Sequence, residues 1–583
     1  MTTCGKHLQR LLTRHAPAYR HLVCVVAVAL VVLLAGSISL AGVSPADDVS
    51  NDNVMRLGER MYREGILPSG KVMEAFIRGD VEVDSTSFSC ASCHLRAGLG
   101  SVEGGVVTPP TNGAKLFKPY RRPPSFGDVV DKTGRYIYAK TVLERPAYTR
   151  ESLAKALRFG VDPAGQVFND VMPRYPLNDR DMGILVRYLE RLSSDISPGA
   201  TPSSFAFATI VTDDVKSEDR AAMLDVLQRF IDGTNSQVEM FRDFLKFGYT
   251  PTIDMKYAFR SASLAVWELK GPPESWRKQL EAYYAKGPVF AVLGGISNSS
   301  WQPVHDFCEE RRLPCLFPIT DFPVVSTHDW YTYYFNKGYF QEGEAVANYL
   351  NRLESIDDTA PILQIVQDTP TGKALADGFL QSWKDLGRSP VQSLSLSAEQ
   401  FADPGQLARI LAEQPAKVLL LWGDDAILPA LNALSQGADT RVPIFASSTA
   451  LGKKTLQVDE AMRDRVYFSF PYRLTPYLGT REGYDAKVPI LTTSKDFGDR
   501  RITSRTVTML LQAALQGLKL LYENQYQDHL LDVMSMQMDQ VVRDYERFSF
   551  GPGQRYASKG CYIIQLGKGT QPDILPVSEW VIH

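Results

Sequence analysis

The stretch GPVFAVLGGISNSSWQPVHDFCEERRLPCLFPIT, residues 287–320, changes its hydrophobic period twice. A continuous apolar run from Val289 to Leu293 stops at Gly294-Gly295, and the polar loop Ser297-Asn298-Ser299-Ser300 follows. A helical pattern begins near Pro303 and gives way to a second apolar run, Leu313 to Ile319. Unbroken apolar runs of this length read as strands buried on both faces. The same alternation recurs outward in both directions. FAFATIVT, ILQIVQ, KVLLLWG and RVPIFAS are β-rich, and SEDRAAMLDVLQRF, WQPVHDFCEERR, TGKALADGFLQSWKDLG and QLARILAEQ are helical. Strands that alternate with helices predict parallel sheets covered on both faces, and the length from 205 to 583 predicts two such lobes. At the head of the helix near Pro303, hydroxyls and unpaired backbone N–H groups offer a site for an anionic group such as a carboxylate. The same residues also serve as ordinary helix caps.

At 583 residues the chain is too long for a single hydrophobic core. Apolar residues make up 44% and charged residues 22%, which places it among globular proteins. A formal net charge of -3 lacks the basic surplus that nucleic acid demands, so nucleic acid is excluded as the main partner. The N-terminus carries Lys6, Arg10, Arg14 and Arg20 ahead of an uncharged stretch from Leu22 to Ala46. That arrangement predicts an export signal over residues 1–46, cleaved after Ala41 or Ala46, or retained as a membrane anchor through residues 22–46. Either way residues 47–583 lie outside the cytoplasm, in a periplasm, soluble or tethered to the inner membrane.

Within 47–195, SFSCASCHLRAG (residues 87–98) sets Cys90 and Cys93 two residues apart with His94 directly behind. CxxCH is the mark of covalent haem c attachment: two thiols reach two vinyl groups, and the adjacent imidazole sits under the iron. A zinc site would want a second ligand pair, yet the next cysteines are Cys308 and Cys315. A short-loop disulfide would leave His94 unexplained. His94 is the only histidine between 47 and 195, so the other axial position falls to a methionine. Met55, Met61 and Met182 sit at core spacing on helical patterns over Asn51 to Leu67 and Asp179 to Leu192. Met172 lies in the proline-punctuated loop FNDVMPRYPLND and is the expected sixth ligand, with loop packing as the alternative role. Lys115, Lys118, Arg121, Arg122, Lys132 and Arg135 form either a docking face for an acidic redox partner or a plain solvated surface. SSDISPGATPSS (193–204) is small, polar and proline-bearing, and a linker is expected over 196–204.

Residues 50–195 resemble class I cytochrome c. Gly58 and Tyr62 match its first-helix contact, Tyr188 the aromatic partner, Cys90 to His94 the attachment motif and Met172-Pro173 the methionine loop. The resemblance implies an all-α domain around one covalent haem c, with a loop carbonyl near Pro109 or Pro110 orienting His94. Residues 205–583 resemble the type I periplasmic solute-binding proteins of the branched-chain amino-acid type. Asn298, Ser299, Ser300, then Gln302-Pro303, match the first site loop; Thr320, Thr371 and Asp424 match later ones, and Ser447 stands where those proteins place an acidic residue. That likeness implies an α/β module of two Rossmann-like lobes, a hinge of three crossings and a cleft for a small organic solute.

Cys308 and Cys315 are expected to pair as a disulfide in an oxidising compartment, and Cys561 to be a buried thiol. No GxSxG, HExxH, Walker or GxGxxG signature appears in a fitting context, so no catalytic residue is assigned. The sequence therefore predicts an exported one-electron carrier, served by a dehydrogenase or oxidase, whose haem domain is fused to a ligand-binding module. The rival reading is a transport-type solute receptor with an accessory haem. A haem enzyme ranks third, because it requires Met172 to leave the iron.

Overall fold

The computed structural model describes residues 51–583 except 104–105, 122–143, 249–258, 358–359, 404, 415, 436–441, 475–506, scattered positions within 508–544, and 552, 571 and 583. The leader with its expected anchor, and Arg122, Lys132 and Arg135, lie outside the described residues. No described helix is long and apolar enough to cross a membrane. Backbone contacts divide the chain into two units. One holds residues up to Cys93 together with Leu116–Glu190, and the other holds His94–Lys115 with Arg191–His583.

In the first unit, α1 (Asn51–Glu64) buries Val54, Gly58, Met61 and Tyr62 on one face, the spacing of a helix with a single apolar stripe. α3 (Arg150–Phe159) follows the short turn α2 (Cys90–His94) and begins with a reciprocal capping box between Thr149 and Ser152. It ends at Gly160, whose φ of 69° closes the helix in the left-handed region. α4 (Asp179–Arg191) buries Met182, Leu185, Val186, Tyr188 and Leu189. α1 and α4 meet where Gly58 lies against Tyr188: a Cβ added at Gly58 would fall 2.4 Å from that of Tyr188. One helical turn on, Tyr62 and Tyr188 place their rings 5.5 Å apart. The segment is not all-α, however. β1 (Glu74–Ile77) and β2 (Val81–Asp84) form an antiparallel hairpin, because the alternation of VEVD on an exposed ribbon suits a strand better than a helix.

The second unit contains two parallel sheets. In the first, β3 (Ser204–Thr212), β4 (Ser261–Leu269), β5 (Ala291–Leu293), β6 (Cys315–Leu316) and β7 (Thr332–Tyr333) run in the spatial order second, first, third, fourth, fifth. In the second sheet, β8 (Ile362–Gln367), β9 (Gln392–Leu396), β10 (Val418–Trp422), β11 (Ile444–Ser447) and β12 (Val466–Phe470) repeat that order. The runs read from sequence as doubly buried strands are so: every residue of β8, β10 and β11 is buried. Helices α5 (Ser217–Lys246), α6 (Trp276–Lys286) and α7 (Gln302–Arg311) belong to the first lobe, and α8 (Gly338–Asn351), α9 (Pro370–Asp385) and α10 (Gln406–Glu413) to the second.

Several expectations need correction. The linker assigned to 196–204 already enters the sheet, since Ala200–Thr201 pairs antiparallel with the start of β3. Gly199 permits that turn at φ 75°, with the backbone of Val289 and Phe290 so close that a Cβ would overlap it. β4 was hidden in SASLAVWEL, whose apolar run Leu264–Trp267 is short and whose Ser263, Ala265 and Val266 are exposed. At the far edge of the second sheet, β13 (Gly560–Leu566) joins β12 antiparallel and β14 (Ile574–Pro576) follows, an addition that strand-helix alternation does not encode.

The chain leaves the first lobe after β7 and enters α8 in the second; Phe470 packs in the core of the second lobe and Val507 in that of the first, and the chain crosses again before β13. The first and last crossings are paired to each other. Tyr334 N–H donates to the Arg555 carbonyl at 2.8 Å, Ala557 N–H to that of Tyr334 at 3.1 Å, and the Tyr334 and Tyr556 rings stack at 5.8 Å. Arg555 is fully buried and donates to the carbonyls of Ser326 and Thr332.

Candidate functional site

Two groups of candidate residues stand in different parts of the chain. The cysteine cluster is one. Cys90, Cys93 and His94 all lie on the single helical turn α2. The Cys90 thiol is buried, which pushes its pKa up to about 12. Its neighbour is Tyr175, whose hydroxyl also reaches the Phe88 carbonyl at 3.4 Å. Tyr175 stands three positions beyond Met172, so the methionine loop and the segment entering α2 meet. Met172 itself is half-buried. Its N–H donates to the Asn169 carbonyl at 3.0 Å, and its own carbonyl accepts from Arg174.

His94 is buried, and its Nδ1 lies 2.7 Å from the Pro109 carbonyl. A carbonyl only accepts, so Nδ1 carries the proton and Nε2 presents a lone pair. That Nε2 is buried and has no hydrogen-bond partner. Burial lowers the imidazole pKa to about 4 against the raising effect of Pro109, so the ring is neutral. A buried orphan nitrogen costs ~1–3 kcal/mol unless something binds it. A neutral imidazole with a fixed tautomer, directly behind two thiols, is a donor set that fits a c-type haem iron.

The loop carrying Pro109 is held closely. The chain leaves α2 with Leu95 at φ 63°, Gly100 N–H donates to the His94 carbonyl at 3.1 Å, and the Gly98 carbonyl accepts from Thr111 N–H at 2.7 Å and Asn112 N–H at 3.1 Å.

The second group surrounds the sheets of the α/β module. In doubly wound sheets, ligands bind beyond the carboxyl ends of the strands where the order reverses. In the first lobe that point lies between β3 and β5, and the loops there are 213–214 and 294–300. Asn298 and Ser299 are at this position, where Asp214 faces them. The Asp214 carboxylate takes the Ser299 hydroxyl at 2.7 Å and faces the Asn298 N–H at 3.4 Å, while Asn298 Nδ2 donates to the Asp214 carbonyl at 2.8 Å. The Ser300 hydroxyl accepts the Gln302 N–H at 3.3 Å. An acidic side chain thus takes donors that the sequence reading offers either to an anionic group or to helix capping. Asp214 was missed because TDDV reads as the end of a strand.

In the second lobe the reversal lies between β8 and β10. Thr371 and Asp424 follow those two strands, and Asp424 N–H donates to the Gln367 side chain at 2.9 Å, tying the two loops together. The Asp424 carboxylate caps Ala426 N–H at 2.9 Å. Thr320, after β6, takes the N–H of Phe322 at 3.1 Å. Ser447 is buried at the end of β11 and caps the following short helix through Ala450 N–H at 2.9 Å. Beside it stands a residue that sequence reading overlooked. Glu342 of α8 is 1% exposed and accepts from the Ser469 hydroxyl at 2.7 Å. Burial raises its pKa to about 7, opposed by the hydroxyls of Ser469 and Ser447 and assisted by the charge of Asp321. No stripe marks it: the acids of YFQEGEA read as a solvated helix surface until the packed chain buries the helix on nearly every side.

Cys308 and Cys315 are both fully buried thiols within hydrogen-bonding reach of each other, on α7 and β6, and Cys561 is buried in β13. His305 is likewise structural: buried, with Nδ1 2.9 Å from the Tyr334 hydroxyl and Nε2 3.0 Å from Asp329.

No protein-family model and no curated protein matches the chain. Solved structures similar to it include a fatty acid ABC transporter substrate-binding protein from Thermomonospora curvata, at 14% identity and a TM-score of 0.44 over 67% of this chain and 95% of that one. An ABC transporter substrate-binding protein from Sphaerobacter thermophilus aligns at 11% identity and 0.45 over 65% and 98%. A leucine binding protein LivK from Thermotoga maritima MSB8 aligns at 12% and 0.43 over 65% and 99%.

Proposed function

We propose that the protein is an exported two-lobed receptor for a small organic solute, carrying one covalent haem c on Cys90 and Cys93. The observation that carries the receptor reading is the repeat of one strand order in both sheets, with polar loops at each reversal point: Asp214, Asn298 and Ser299 in the first lobe, Thr371 and Asp424 in the second. Two lobes joined by paired crossings suit capture by closure. With an acceptor carboxylate at each reversal point, Asp214 in the first lobe and Asp424 in the second, the preferred solute carries hydroxyl or ammonium donors rather than a lone carboxylate.

The haem reading is supported by the orphan Nε2 of His94 and the Nδ1 bond to Pro109. Phe88, two residues before Cys90, and Val171, next to Met172, are large exposed apolar side chains of the kind a porphyrin covers. When bound, such a group supplies one-electron redox chemistry. Here Cys90 and Cys93 would hold its edge, His94 and Met172 its iron, and Pro109 would keep the imidazole proton on Nδ1. With His94 and Met172 both holding the iron, the group would supply electron transfer to and from a partner protein rather than oxygen or peroxide chemistry.

The test uses full-length holoprotein, screened against a solute library by thermal shift. A true ligand raises stability in proportion to its binding. It should lose at least about tenfold in affinity, 1.4 kcal/mol, in Asp214→Ala or Asp424→Ala. A solute that binds both variants as tightly as wild type would remove the reversal-point assignment. Haem is scored separately, by whether the red pigment survives acid-acetone extraction.

A further inference from the structure

We propose that Asp532 is the positioning residue for the iron-binding imidazole: α11 (Gln527–Ser535) of the α/β module fixes the polypeptide immediately behind His94 through this one side chain. The inference rests on the haem reading above and gives that site a control point in the ligand-binding module.

The geometry is specific. Beyond Leu95 the chain has left the helix, so the amides of Arg96 and Ala97 lack helical acceptors. Asp532 supplies both: Arg96 N–H donates to Oδ1 at 3.0 Å and Ala97 N–H to Oδ2 at 2.9 Å. The carboxylate is 4% exposed. Burying an ionisable group there is costly unless its lone pairs are satisfied, so this pair of bonds is a built contact and not a chance surface approach. The Arg96 side chain is held by the same helix. Its guanidinium lies 4.2 Å from the Trp330 ring centre and 3.7 Å from Asp528, and Asp528 accepts the Tyr331 hydroxyl at 2.8 Å.

From the clamp, hydrogen bonds lead back to the imidazole. The Ala97 carbonyl accepts the Ser193 hydroxyl at 2.8 Å, and the next carbonyl, of Gly98, holds Thr111 and Asn112. Two positions before Thr111 is Pro109, whose carbonyl fixes Nδ1 of His94. In the other direction Gln527, at the head of α11, donates to the Phe290 carbonyl at 3.1 Å, where β5 begins. β5 ends at the loop of Asn298 and Ser299. The clamp thus sits between the strand that presents a ligand loop and the carbonyl that sets the basicity of an axial ligand. Groups that hydrogen-bond a ligating histidine tune the metal it binds.

The experiment compares wild-type holoprotein with Asp532→Asn and Asp532→Ala. Haem content per chain should be unchanged, amide exchange at 95–98 should accelerate at least about tenfold, and the midpoint potential should shift upward as the Pro109 bond to Nδ1 loosens. Faster exchange with an unchanged potential and ferric spectrum would make the clamp structural only and overturn the proposal. A wild-type measurement needs no variant to fold: the Arg96 and Ala97 amides should exchange at different rates in ferric and ferrous protein, and equal rates also overturn it. Wild-type protein that emerges colourless sinks the haem reading itself, whereas coloured protein whose variants keep its potential sinks only the role of Asp532.

Discussion

The carbonyl of Pro109 lies 2.7 Å from Nδ1 of His94, and the opposite nitrogen of that ring is buried without a partner. Fixing the proton on one nitrogen leaves the other with a lone pair that can accept a hydrogen bond or bind a Lewis acid. Replacing Cys90 and Cys93 together by alanine should abolish covalent haem, read as loss of one porphyrin from the intact mass. Pigment that remains attached in the double variant would place the attachment elsewhere.

Met172→Ala should leave the covalent haem content intact and lower the midpoint potential by on the order of 0.1 V, a fraction of the roughly 0.8 V range that axial ligands span. A high-spin component should appear in the ferric spectrum. If potential and spectrum match wild type, another residue fills the sixth position and Met172 only packs its loop.

Gly58→Val should destabilise the N-terminal unit by ~1–3 kcal/mol, because the new Cβ would stand 2.4 Å from that of Tyr188 and 3.0 Å from the Ile184 carbonyl. Limited proteolysis between Asn51 and Glu190 reads this out. Unchanged protection would show that α1 and α4 do not meet at this glycine.

Glu342 makes stability depend on pH with a definite sign. Its folded pKa is raised, from 4.5 to about 7, so the folded state binds the extra proton. The stability this contributes is fully present below about pH 4.5 and is lost as pH rises to about 7, amounting to roughly 3 kcal/mol at most. Asp532, pushed up to about 7 by burial and by Asp528 against the pull of Arg96, acts in the same direction. Glu342→Gln should flatten part of that slope between pH 4.5 and 7 in denaturant titrations. A slope identical to wild type would mean that Glu342 titrates normally.

The Cys308 and Cys315 thiols, buried side by side, should be found joined when the protein matures in an oxidising compartment. Peptide mapping without reductant reads this directly. By the loop-closure estimate, Cys315→Ser should then cost roughly 2.5 kcal/mol. Two alkylatable thiols after denaturation would refute the bridge.

The sequence by itself determined the elements whose signal is local. β8, β10 and β11 were legible because both faces of each strand are buried, which leaves an unbroken apolar run. α1 and α4 were legible because each buries one stripe. The CxxCH motif was legible because Cys90, Cys93 and His94 fall within five consecutive residues, which one helical turn holds together. Only the tertiary structure decided what lies across the sheets. It brought Asp214 onto the serine loop and filled the donors expected to bind an anion. It set Glu342 against Ser469 and carried Asp532 to the amides of Arg96 and Ala97. Those carboxylates carry no local pattern: an acid on a helix reads as surface until a distant segment buries it, and burial is a property of the packed chain, not of its neighbours in sequence.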